Sequence, residues 1–158
     1  MGTVFHNNTQ VNAFDKDSVH FTGLTSIANR IFYETYFRYV RLPFASTIGT
    51  STSGNYSVFY YAESLLAVRL DAVTKIMAFN YMARRYRYTV ITTTTVPSLG
   101  VSDSRHYNGA TYVIDSLVDS YRAATNWSSK TIRPISQLPT DYPDCPWLDD
   151  LREKGFIS

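Results

Sequence analysis

The stretch AESLLAVRLDAVTKIMAFNYMAR, residues 62–84, decides how the rest of the chain is read. Within it Leu66, Leu70, Val73, Met77 and Tyr81 recur at steps of three and four residues, with neither glycine nor proline between them. That is the apolar spacing of one face of an α-helix, so the pattern predicts a long helix from Ala62 to about Arg84. Downstream, Tyr88, Val90 and Ile91 followed by four threonines suit an extended segment, which Pro97–Gly100 ends. Asn108 and Gly109 then offer a turn before Ala110, Val113, Ile114, Leu117, Val118, Tyr121 and Ala124, whose spacing predicts a helix over 110–124. Upstream, Leu24, Ile27, Ile31 and Tyr39, with Phe32 and Tyr36 beside them, predict a helix over 24–39 that Pro43 closes. Residues 45–57 are small and polar and read as a loop.

From Trp127 onward the texture changes. Pro134, Pro139, Pro143 and Pro146 break any long helix, and residues 141–153 hold five acids against one arginine. This predicts an extended C-terminal arm with a short helix near 147–154. No internal repeat is evident. The expected fold is mainly α: an antiparallel helical bundle with a little β-structure, in one domain. Its parts are an N-terminal segment (1–23), a helical core (24–125) and the proline-rich arm (126–158).

The chain has 158 residues, 44% of them hydrophobic and 18% charged, which is the composition of a folded domain rather than a disordered tail. No apolar run approaches the roughly 18 residues that cross a bilayer. Gly2 would admit myristoylation only if position 6 were Ser or Thr, and it is His6. A single cysteine, Cys145, excludes an internal disulfide and a cysteine-based zinc cluster. His6, His20 and His106 fall in no metal-ligand spacing, and no nucleophile elbow or glycine-rich phosphate loop occurs. The expectation is therefore that the protein is not an enzyme.

The arginines carry more. Eleven of the fifteen basic residues are arginine, and residues 69–105 hold six basic groups against Asp71 and Asp103. Arg84, Arg85 and Arg87 cluster there, interleaved with Tyr86 and Tyr88. Guanidinium forks grip phosphates while aromatic faces stack on bases, which suits single-stranded RNA. The alternative is a solvated helix end whose dipole favours positive side chains. Glu34 and Asp71 sit among apolar neighbours, where a carboxylate needs a partner or stays protonated; pairing with a nearby Arg30, Arg38 or Lys75 is the simplest outcome.

Three blocks in order resemble the coat proteins of tobamoviruses and related rod-shaped plant RNA viruses. They are Arg30-Ile-Phe32-Tyr-Glu34-Thr-Tyr36, the run from Ala67 to Phe79 followed by Arg84, Arg85 and Arg87, and the run from Arg105 to Ser116. The resemblance implies a helical-bundle subunit that assembles in many copies into a rod or filament around single-stranded genomic RNA, largely without sequence preference. It implies RNA contacts at Arg84, Arg85, Arg87, Arg105 and Ser116. It also implies inter-subunit carboxylates at Glu34 and Asp71, with calcium as a possible ion there and no other cofactor. Neutralising that pair, by Glu34→Gln or Asp71→Asn, would then stabilise rods at neutral pH. Such a protein belongs to a virion, assembled in the host cytoplasm, with no membrane partner. A protein-only structural subunit of a bacteriophage virion or another filament is the alternative.

Overall fold

The structure, a computed structural model, describes residues 18–51, 57–80, 83–100 and 107–158. Its strands run in chain order as β1 (Ser18–His20), β2 (Ser26–Ile27), β3 (Tyr39–Leu42), β4 (Thr47–Ile48) and β5 (Ala67–Leu70). They continue as β6 (Lys75–Ile76), β7 (Tyr88–Ile91), β8 (Ser98–Leu99), β9 (Ala110–Val113) and β10 (Thr131–Pro134). The longer ones form a six-stranded sheet in the order β1-β3-β5-β7-β9-β10, and the two-residue ones form a four-stranded sheet, β2-β4-β6-β8. Each neighbouring pair is parallel. The chain therefore winds as a β-solenoid, its first four coils laying one strand on each sheet and the last two a strand on the larger sheet alone.

A third wall closes the coils without regular strand geometry. Phe32 N–H donates to the Val58 carbonyl (3.2 Å), Val58 N–H to Ala78 (3.2 Å) and Phe59 N–H to Phe79 (2.8 Å). The register Ser18–Tyr39–Ala67–Tyr88–Ala110–Thr131 gives coil lengths of 21, 28, 21, 22 and 21 residues. The one long coil carries its extra residues in the polar segment after Ile48.

Inside, like positions stack on like. Val40 and Val68 precede Thr89 and Thr111 in one column, Leu42, Leu70, Ile91 and Val113 form a second, and Ile27, Ile48, Ile76 and Leu99 line the smaller sheet. On the third wall an aromatic column runs along the interior from Phe32 to Phe59, Phe79, Tyr107 and Trp127. Its successive ring centroids lie 4.9, 5.3, 5.2 and 5.2 Å apart. Trp127 ends the column and its indole N–H donates to the Pro97 carbonyl at 2.7 Å.

This overturns the mainly α antiparallel bundle expected from the sequence. Residues 24–39 and 62–84 are strands and corners where described, and 110–124 opens as β9. Among the described residues, α-helix is confined to α1 (Val118–Ala123), α2 (Leu138–Asp141) and α3 (Leu148–Glu153). The reason lies in the corners. In the coil that starts at Ala67 the core residues are Val68, Leu70, Val73, Ile76 and Phe79, so steps of two across a strand become steps of three where the chain turns. That mixture mimics the helical spacing of three and four.

The expected extended C-terminal arm is also corrected. After β10 the chain folds back over the outer face of the larger sheet. Ile135, Leu138, Trp147, Leu148, Leu151 and Ile157 pack there against Tyr39, Leu66, Ala67, Tyr88, Val90 and Tyr112. The short helix expected near 147–154 is α3.

Candidate anion-binding cleft at a coil corner

The residues just before each long strand form the corner between the third wall and the larger sheet. Because Tyr39, Ala67 and Tyr88 are paired in register, the residues before them stack too. Phe37, Leu65 and Tyr86 are buried; Tyr36, Ser64 and Arg85 flank them, as do Arg38, Leu66 and Arg87. Leu66 N–H donates to the Arg38 carbonyl (2.7 Å) and Arg87 N–H to the Leu66 carbonyl (2.8 Å). Adjacent coils lie about 4.8 Å apart, which sets the Arg38 and Arg87 backbones roughly 10 Å from each other.

These positions line a cleft of about 680 Å³ formed by Tyr36, Arg38, Ser64, Leu66, Arg84, Arg85, Tyr86, Arg87 and Asp144. Four arginines line it with one carboxylate, Asp144, which arrives from the C-terminal segment. Arg84, Arg85 and Arg87 are exposed, and Tyr36 is half exposed, at 50%. The next coil is kept close by Gly109, whose φ is +82° and whose missing Cβ would lie 2.8 Å from the Arg87 carbonyl oxygen. Ala110 N–H donates to that same oxygen at 3.0 Å. A row of positive forks beside an exposed aromatic ring suits an extended anionic chain.

Of the residues singled out from the sequence, Arg84, Arg85 and Arg87 come together in this cleft. Arg105 lies outside the described residues, as do His6 and His106. Ser116 is exposed on the turn after β9, at the opposite ends of the strands from the cleft. Glu34 lines a neighbouring cavity.

Asp71 follows β5 and is fully engaged. One oxygen accepts from Arg69 Nε (2.7 Å) and the Thr92 hydroxyl (2.7 Å), and the other accepts from Arg41 Nε (2.8 Å). Burial alone would raise its carboxyl, but the Arg69 charge and these hydrogen bonds hold it below the ordinary carboxylate value. Asp71 thus has arginine partners, of the kind the residue pattern suggested, though they are Arg41 and Arg69. Calcium at Glu34 and Asp71 does not fit this arrangement, because the oxygens of Asp71 are held by donors. Among the described residues no group of three potential metal ligands converges.

Sequence reasoning missed Arg38, Tyr36, Ser64 and Asp144 as partners of the three arginines. The signal was a register: Arg38 precedes β3 as Arg87 precedes β7. Without the coil repeat the two look unrelated. Comparisons with protein-family models, curated proteins and solved structures find no match.

Proposed function

We propose that the protein is a non-catalytic β-solenoid module that binds single-stranded RNA along this corner cleft. The observation that carries the reading is the convergence of Arg84, Arg85 and Arg87, from the corner before β7, with Arg38, from the corner before β3, beside the half-exposed Tyr36. Phosphates would sit on the guanidinium forks and a base on the Tyr36 face, so that binding depends little on sequence. The coat-protein resemblance loses the helices that its blocks implied, and what supports RNA binding now is the local chemistry of the arginines. Packaging of a strand by many copies is the fuller form of the proposal, with solenoid subunits in place of bundles.

Fluorescence anisotropy with a labelled single-stranded RNA tests the reading. Replacing Arg85 and Arg87 with Ala should weaken binding roughly tenfold per arginine. It should also flatten the salt dependence by about 0.7 for each phosphate that an arginine no longer neutralises. Equal affinity and equal salt slope for the double variant would contradict the site. No affinity for RNA in a preparation that forms filaments would favour the protein-only structural reading, which the parallel stack also suits.

A further inference from the structure

Beside the arginine cleft, and sharing Tyr36 and Ser64 with it, lies a second cavity of about 230 Å³ lined by Glu34, Thr35, Tyr36, Tyr61, Glu63 and Ser64. Its chemistry is opposite in sign: two carboxylates and two phenol rings, with no basic residue among the described residues of its lining. From the geometry we infer that this cavity binds an organic ammonium cation of the quaternary type, a choline-like group.

The tyrosines around it already behave as a cation platform. Tyr33 and Tyr60 are stacked, with centroids 5.7 Å apart, and Tyr61 meets both edge to face at 6.4 and 4.6 Å. The Arg30 guanidinium lies over the Tyr60 ring at 5.5 Å and over Tyr33 at 6.0 Å. Ring faces next to the cavity thus already hold one cation, Arg30, and two further tyrosines, Tyr36 and Tyr61, line the cavity itself.

Ring faces attract a cation through their quadrupole, and the attraction survives when the cation has no N–H to donate. The carboxylates add charge at close range. Tyr33 and Glu34 are hydrogen-bonded, and that bond is the main reason the Tyr33 phenol sits above its ordinary value. The backbone N–H of Glu34 donates to the Tyr60 carbonyl at 3.1 Å, and that of Glu63 to the Tyr61 carbonyl at 2.8 Å. These two bonds fix the backbone of Glu34 and Glu63 against that of the tyrosine cluster. A soft, weakly hydrated cation gains from tyrosine ring faces, whereas a small metal ion gains from oxygen ligands closing round it on all sides.

The inference is independent of RNA binding, and its test keeps the two apart. Isothermal titration of the whole chain with choline, and with its uncharged isostere 3,3-dimethylbutan-1-ol, reads the charge requirement directly. Choline should bind and the isostere should not. Glu63→Gln, at an exposed position, and Tyr61→Leu should each weaken choline roughly tenfold. The Arg85→Ala/Arg87→Ala variant, which removes positive charge next to the cavity, should bind choline at least as tightly as the unmodified protein does. Absence of choline binding, or equal binding of the isostere, would overturn the proposal whatever the RNA result. Choline bound with equal strength by Glu63→Gln and Tyr61→Leu would overturn the assignment to this cavity.

Discussion

At the scale of single residues, the ionic cluster on the outer face of the larger sheet shows how a residue changes meaning with its partners. Arg69 is fully buried, yet it ion-pairs with Asp71 at 2.7 Å and with Asp150 of α3 at 2.7 Å. Arg41 meets the same two carboxylates at 2.8 and 3.3 Å. Removing one member of such a group strands the others, so Asp71→Asn should destabilise the fold by about 3–5 kcal/mol in urea unfolding. That sign is opposite to the one implied for a repulsive carboxylate pair. An Asp71→Asn variant as stable as the parent would show that the cluster contributes nothing.

The aromatic column makes a second residue-scale prediction. Phe59 is fully buried between Phe32 and Phe79, and Phe59→Ala should cost about 3–5 kcal/mol by the same assay.

At the scale of elements, the C-terminal segment is a strap over the outer face of the larger sheet, fixed at α3 by Asp150 and by Trp147 beside Tyr39. Burial acts to raise the Asp150 carboxyl, but the Arg69 charge and hydrogen bonds from Arg69 and Lys154 hold it below its ordinary 3.8; Asp71 behaves alike. A carboxylate depressed in the folded state contributes stability that is complete above its unfolded value and is lost as the pH falls through its folded one. Hydrogen exchange across 135–158 should therefore match at pH 7 and pH 5 after correction for intrinsic rates, and accelerate below about pH 3.8. Unchanged protection at about pH 2.5, well below that value, would show that the apolar contacts hold the strap alone.

Elements also show what was legible in the sequence. The strand at Tyr88–Ile91, with its β-branched run, and the short helix before Lys154 were readable because each depends on local residues. The coils at 18–38 and 67–87 were not, because corners convert a period of two into one that imitates a helix. The repeat was hidden by the long second coil and by the spread of residue types in each column, such as Val, Val, Thr and Thr. Arg84, Arg85 and Arg87 are legible from their clustering alone; Arg38 needed the register.

At the scale of the whole molecule, a parallel solenoid has only neighbour contacts, so its stability is a sum over coils and their interfaces. The far-UV circular dichroism should be that of β-structure, and a helix-dominated spectrum would contradict the fold. The near-neutral balance of +2 is also an average over separated regions. Basic groups collect at one corner, and acids collect in the C-terminal strap, where Asp150 pairs with Arg41 and Arg69. A small net charge limits repulsion between copies that would line up along one strand.

Whether this corner holds the RNA is read out by photo-crosslinking bound single-stranded RNA and identifying the modified peptides by mass spectrometry. Crosslinks should map to peptides containing Tyr36, Arg38 and Arg84–Arg87 and vanish at high salt. Crosslinks confined to the smaller sheet or to the C-terminal strap would contradict the assignment.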